Sequence, residues 1–371
     1  MAADLMISDE AHHTVTNDKG KNFTFHDDIK AKKALYMTAT VKIYEPNPNS
    51  KTHIKDNYDM STVDIYGKTF YSLPLGEAIK RDILVDYDVI IPRFNKDATE
   101  GVLKKLIEKD ELKYLNIDKR AKQPENTPEE KEAAEKYYLN EKKRKVANMI
   151  GIYEAMKKSG SQSAISFVGS HVANRAKKSM EAMEIIIKHL NEIDEKNSST
   201  SYDLKTDYIE GLMSPKRRQE KLVELTKETP FLLWNCRCLT EGVDIPSCDT
   251  IAFFDAKSSY IDIVQAVGRA LRKDPNNTNK KAIIILPLVM DDIDIIPVDE
   301  NIFTLYASIL KADGRAINDN LDVTEKNVSE KIEKLNGGGF IPTESKTTKT
   351  NDEETKKKTP NLSNIYLVKF I

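Results

Sequence analysis

The chain has 371 residues, of which 39% are hydrophobic and 31% charged, and its net charge at pH 7 is −2. That length is ample for two or three domains with real cores, and the near-neutral balance excludes a global positive field as the means of holding nucleic acid. A local basic or amide-lined groove stays open as an alternative. The three cysteines, Cys236, Cys238 and Cys248, argue against a disulfide framework and for a reducing compartment. Their C-x-C spacing offers no obvious fourth ligand, so they read as thiols of the fold rather than a zinc site. No apolar run approaches the ~20 residues of a bilayer span, and no basic-then-apolar leader opens the chain; the cytoplasm is the expected location.

In chain order, ADLMIS (residues 3–8) reads as a short buried strand that runs into Asp9-Glu10. ALYMTAT (34–40) is a second strand and YDVIIP (87–92) a third, with a helical centre in SLPLGEAIKRDILV (72–85) between them. From about Asn95 the pattern turns helical. Asp97 and Glu100 form a capping box ahead of Leu103, Leu106 and Ile107, and Thr127-Pro128-Glu129-Glu130 starts a long helix that Ser159-Gly160 stops. Its charge runs are most simply solvated faces.

The strand–helix rhythm resumes at Ser163. AISFV is a strand, residues 171–190 a helix, SYDLKTDY a strand, and Ser214-Pro215 caps a helix to about Lys227. FLLWNC (231–236), TIAFFD (250–255) and AIIILPL (282–288) are near-continuous apolar runs, the signature of parallel strands covered on both faces. Residues 300–321 read as one or two terminal helices. A Lys/Thr/Glu-rich tail follows Gly337-Gly338-Gly339, and the closing NLSNIYLVKFI is apolar again, which reads as the start of something beyond this chain.

Four strings carry chemistry. In ISDEAHH, a carboxylate at the carboxyl end of a buried strand stands at the ligand edge of a sheet. Asp9 there can hold Mg²⁺, Glu10 can orient an attacking water, and His12 can link the site to a neighbouring lobe; a plain polar strand-to-helix cap is the alternative. In MTAT, Thr38 and Thr40 can hydrogen-bond those carboxylates. In CLTEGVDIPSCDTIAFFDA, Thr240 and Gly242 offer a turn with free amides and Asp244 follows on a loop, where a simple turn is again the alternative. In IVQAVGRALRK, read as a helix over residues 263–273, Gln265, Arg269 and Arg272 recur at i, i+4, i+7 beside an apolar stripe of Val264, Val267 and Leu271. One glutamine and two arginines on one edge suit a transferring phosphoryl group, an ordinary basic face being the alternative.

The order DEAHH, MTAT, CLTEGVDIP, DIVQAVGRALRK resembles the superfamily 2 helicases and translocases, closest to the type III restriction-subunit-like and HsdR-type branch. The resemblance implies an α/β fold of two RecA-like parallel-sheet lobes joined by a helical connector, with ATP and Mg²⁺ between the lobes. The implied division is a first lobe over 1–94, incomplete; a connector over 95–160; a second lobe over 161–290; a helical extension over 291–335; and a flexible tail over 336–371. Asp9 and Glu10 then resemble the Walker B pair, with Asp9 on the metal. His12, Thr38 and Thr40 resemble coupling groups, and Gly242 and Asp244 the second-lobe nucleotide loop. Gln265, Arg269 and Arg272 resemble the final motif, the two arginines as arginine-finger candidates. FVGSHVANRAK (167–177) is similar to the motif that opens the second lobe, where Ser170 and Arg175, with Thr240, are the nucleic-acid candidates. MSPKRRQEKL (213–222) matches the helix that follows.

One departure matters. The family's glycine-rich loop ending in G-K-[ST] occurs nowhere in these 371 residues; Gly20-Lys21-Asn22 lacks the hydroxyl and lies after the DEAH string. Val41 stands where relatives often carry proline. The expectation is therefore a family member truncated at its N-terminus. Its parent would be an ATP-dependent motor acting on nucleic acid, DNA favoured over RNA, with a missing N-terminal lobe or a restriction/modification subunit as its protein partner. The alternative is a catalytically inactive, nucleic-acid-binding or regulatory remnant.

Overall fold

The computed structural model describes residues 3–15, 31–43, 59–94, 127–169, 174–196, 202–227, 230–236, 238–239, 244–255, 257, 259–286, 289–290, 305, 308–309, 311–314 and 365–370. The chain divides into two compact units, Met1–Pro74 and Leu75–Ile371.

In the first unit, β1 (Ala3–Ser8) and β2 (Ala31–Tyr36) form a two-stranded parallel sheet, in register from Ala3 opposite Ala31 to Ser8 opposite Tyr36. A 3₁₀ turn, Ala11–Thr14, follows β1, and a short helix α1 (Val63–Tyr66) lies further on. Leu5 and Ile7 of β1 are 54% and 57% exposed, so this sheet keeps much of its apolar surface in solvent. The expected second strand stops early, at Tyr36 rather than Thr40. The cause is local: Thr38 Oγ1 donates to the Thr40 carbonyl and takes the Thr40 N–H, and this turn ends the ladder.

The second unit is built on an eight-stranded sheet. Its elements are α2 (Leu75–Lys80), β3 (Tyr87–Phe94), α3 (Pro128–Ser159), β4 (Ser163–Phe167), α4 (Arg175–Lys196), β5 (Lys205–Glu210), α5 (Pro215–Glu224), β6 (Phe231–Cys236), β7 (Thr250–Phe253), α6 (Tyr260–Ala270), β8 (Ala282–Ile285), β9 (Val289–Met290) and β10 (Ile365–Phe370). The strand order is β10-β3-β8-β7-β4-β6-β5, with β9 also on β3. Six of these, β3 to β5 across the sheet, run parallel, and β10 is antiparallel to β3.

Alternation along the strands explains their continuous hydrophobicity. Ala164, Leu232, Trp234, Ala252 and Ile283 pack against α3 and α4 on one face. Ile165, Phe167, Leu233, Ile251, Phe253 and Ile284 pack against α6 and its neighbours on the other. Helix α3 starts with the capping box foreseen from Thr127 and Glu130, with Pro128 in the first turn. It ends at Gly160, whose φ of 72° is the left-handed conformation that glycine adopts without penalty. Ser214 caps α5 by accepting from Arg217 N–H.

Three expectations about layout change. The strand at 87–94, read as first-lobe, pairs in parallel with β8 of the second unit, and the compact units divide at Pro74 rather than near residue 94. Helix α3, read as connector, buries Val146, Met149, Ile150, Tyr153 and Met156 on the second unit's sheet. The terminal apolar segment, read as lying outside this fold and within a flexible tail, contributes β10, whose partners run from Ile365 opposite Phe94 to Phe370 opposite Val89. The capping box at Asp97 and most of the 300–321 helix lie outside the described residues.

Candidate functional site

In the first unit the DEAH residues sit where β1 ends. Glu10 has φ 47° and ψ 44°, the left-handed region that a residue with a Cβ enters only under local constraint. The constraint is visible on both sides. Met37 N–H donates to Ser8 O at 2.8 Å and Ala11 N–H to Met37 O at 2.8 Å, so the chain must reverse between Ser8 and Ala11. Asp9 Oδ1 accepts Glu10 N–H at 2.9 Å. His12 is buried, its Nδ1 2.9 Å from Thr38 Oγ1 and 3.3 Å from Glu10 Oε2. Asp9, Glu10, His12, Thr38 and Thr40 are thus gathered at one end of the β1–β2 ladder. Thr40 Oγ1 is buried with no hydrogen-bond partner among the described residues.

In the second unit the chain leaves the central strand β4, travels to β5 at the edge, returns to β6, and crosses to β7 on the other side of β4. The carboxyl ends of β4, β6 and β7 therefore frame a topological switch point, the usual ligand edge of an open parallel sheet. Asp255, just past β7, accepts Gly169 N–H at 2.8 Å and Arg175 Nη2 at 3.0 and 3.1 Å. A Cβ on Gly169 would stand 3.3 Å from Asp255 Oδ2, so glycine permits this approach. Glu210 Oε1 takes the first amides of α4, from Ala176 and Lys177. Asn235 Oδ1 takes the amides of Cys238 and Leu239 at the end of β6.

Arg175, foreseen as a phosphate-backbone contact, is 8% exposed and committed to Asp255. It stitches the loop after β4 to the loop after β7. Ser170, Thr240 and Gly242 lie outside the described residues. Asp244 and Arg272, expected to face a nucleotide separately, form an ion pair with each other, both side chains well exposed. The helix expected over residues 263–273 spans Tyr260–Ala270, so Arg272 lies past its end. There Arg272 bridges to Leu84, and its carbonyl accepts Lys280 Nζ at 2.6 Å. Gln265 and Arg269 remain on α6, whose apolar stripe of Ile263, Ala266, Val267, Ala270 and Leu271 docks on the sheet. Arg269 is buried, at 5% exposure.

Two groups that sequence reasoning passed over belong to this edge. Lys145 of α3 is 8% exposed, and burial, aided by Arg175, pushes its ammonium down to about 8 against the pull of Asp255. Asp255 itself closes the apolar run TIAFF, the same signal that marks Asp9 after ADLMIS. Cys248 is fully buried and pushed up to about 12, and Cys238 to about 11, by desolvation. Among the described residues no three His, Cys, Asp or Glu side chains are grouped to hold a metal. The open groove of about 670 Å³ lies elsewhere, towards the amino ends of β5 and β6, lined by Lys205, Asp207, Lys221 and Phe231. No helix among the described residues is long and apolar enough to cross a membrane.

Residues 141–274 match the family model of the helicase conserved C-terminal domain. A solved ATP-dependent Type ISP restriction-modification enzyme, LlaBIII bound to DNA, is 25% identical with a TM-score of 0.60 over 91% of this chain and 21% of its own. A fragment described as a type I restriction HsdR subunit from Vibrio vulnificus YJ016 is 18% identical, with a TM-score of 0.44 over 76% of this chain and 43% of its own. The E. coli DEAD-box protein SrmB, bound to a ribonuclease regulator, is 19% identical with a TM-score of 0.30, covering 47% and 80%. This chain thus spans about a fifth of the length of the first of these structures. No curated protein matches. The second unit has the fold of a RecA-like helicase C-terminal lobe.

Proposed function

We propose that this chain is a helicase superfamily 2 protein of the restriction-enzyme branch and part of an ATP-driven motor that moves on nucleic acid, DNA favoured over RNA. The observation that carries the reading is α6, which starts past the carboxyl end of β7 and carries Gln265 and a buried Arg269 along one face. A guanidinium held in a low-dielectric edge is poised for the charge that spreads over a transferring phosphoryl group. The DNA in the related restriction-modification complex supports the choice of substrate.

In this reading Gln265 and Arg269 contact the terminal phosphate, and Arg272 with Asp244 locks the neighbouring loop. Glu10 orients water, and His12 with Thr38 and Thr40 relays the nucleotide state. The donor set at β1 fits Mg²⁺: one hard carboxylate, Asp9, suffices for an ion that keeps most of its waters and takes the rest of its ligands from phosphate. When bound, the ion polarises the phosphate oxygens.

A second reading is a binding or regulatory remnant without turnover. One assay separates them. ATP hydrolysis is measured with and without DNA, for the chain alone and with a first-lobe segment carrying a G-x-x-x-x-G-K-[ST] loop. The motor reading predicts slow turnover alone and DNA-stimulated turnover when the loop is supplied; no turnover in either case leaves the remnant.

A further inference from the structure

The loop after β7 places a cation at the same edge that neither the sequence motifs nor the phosphate reading has used. Lys257 is half-buried, and its Nζ lies 4.5 Å above the centroid of the Phe167 ring at the carboxyl end of β4. It has no hydrogen bond or ion pair among the described residues. A desolvated ammonium without an acceptor is costly unless something anionic arrives to share it. The ring contact is weak compensation.

Its surroundings point the same way. Lys257 interacts electrostatically with both Asp262 and Arg269 of α6. Gln265 stands between these two at i+3 from one and i−4 from the other, on the same helix face. Gln265 Nε2 is itself a buried donor without a partner among the described residues. On the sheet below, Asn235 is opposite Phe167 in register, fully buried, and its Nδ2 likewise has no partner there. Burial pushes the Lys257 ammonium below its ordinary range, with Asp262 and the Cys236 thiol pulling against it and Arg269 acting in the same sense. An ammonium over the Phe167 ring, with unpartnered amide donors on the adjacent strand and on α6, makes a subsite for an oxyanion.

We propose that Lys257 is an anion-binding residue of the second unit that, with Gln265 and Arg269, holds the terminal phosphates of a nucleoside triphosphate. This rests on the phosphate reading of α6 and adds a residue to it. Phe167 is the platform: its ring lies under the ammonium at the carboxyl end of β4.

The test is calorimetric titration of the full 371-residue chain with tripolyphosphate, comparing wild type, Lys257→Met, Lys257→Arg and Arg269→Ala. Anisotropy with a single-stranded oligonucleotide runs in parallel. Lys257→Met keeps the stem on the ring and removes the charge. It is expected to weaken tripolyphosphate binding about tenfold, in line with loss of one charge-assisted contact, while Lys257→Arg stays within about threefold of wild type. Oligonucleotide affinity is expected to be unchanged, and the unfolding midpoint without ligand not lowered. A merely structural lysine would lower that midpoint and leave the titration alone. Wild-type binding by Lys257→Met, with Arg269→Ala weakened, overturns the role of Lys257 and leaves the phosphate reading standing. No loss in either variant overturns both. A loss confined to the oligonucleotide overturns the assignment to nucleotide phosphates.

Discussion

The two units of the chain hold their polar motifs by different means. In the first, β1 carries Leu5 and Ile7 more than half exposed, so little core fixes the strand, and the DEAH turn is set by short-range hydrogen bonds: Met37 to Ser8, Ala11 to Met37, His12 to Thr38, Thr38 to Thr40. In the second, the strands are closed on both faces, and the polar groups at their carboxyl ends inherit their positions from that core. Asp255 lies just past β7 and Asn235 near the end of β6, each preceded by fully or nearly fully buried strand residues. A site held by local bonds should break one bond at a time. A site held by a core should fail with the core or not at all.

The largest effect expected is in the second unit. Trp234 is fully buried, edge-on to Phe254 at 5.2 Å, with its indole N–H on Thr206 Oγ1. Trp234→Ala should cost about 3–5 kcal/mol of stability, read from urea unfolding by far-UV circular dichroism. A loss below about 1 kcal/mol would mean the sheet is not the organising element.

Lys145 gives the next effect, and its sign is fixed by linkage. Its folded-state value of about 8 lies below the value near 10.4 of an unfolded lysine, so above pH 8 the unfolded chain binds more protons and stability rises with pH. Measured against Lys145→Met, the wild type should gain about 2 kcal/mol between pH 8 and 10. A flat difference would place the ammonium in water rather than beside Arg175 and Asp255.

The smallest effect belongs to the first unit. Thr38→Val removes one hydrogen-bond partner of His12 and the turn bond to Thr40, at about 1 kcal/mol. It should raise amide exchange at residues 9–14 by about fivefold, with residues 163–167 unchanged. Faster exchange in β4 would erase the contrast between the units.

Much of the second unit is legible in the sequence because its elements carry their own signals. FLLWNC is a strand with the same bounds in both readings, and Thr127 and Glu130 start α3 as a capping box predicts. The misses are non-local. Nothing in the residues around Ile365 tells that their partner is β3, more than 270 positions earlier. Strand 87–94 has the same apolar character whichever sheet receives it. At the candidate site, the spacing of Gln265, Arg269 and Arg272 is visible as a helix face, but the end of α6 at Ala270 and the pull of Asp244 on Arg272 are not. Arg175 reads as a surface cation until Asp255, eighty residues later, is found against it. Asp255 was within reach, since it closes an apolar strand just as Asp9 does. Lys257 was not, because its signal is the lack of an acceptor around a folded ammonium.

The central claim is that the α6 edge handles the phosphoryl group in a nucleic-acid motor. It is tested most directly by DNA-stimulated ATP turnover with the phosphate loop supplied, wild type against Arg269→Lys. That variant keeps the charge and loses the guanidinium fork. Turnover is expected to fall about a thousandfold with little change in DNA affinity. Turnover within about twofold of wild type would contradict it.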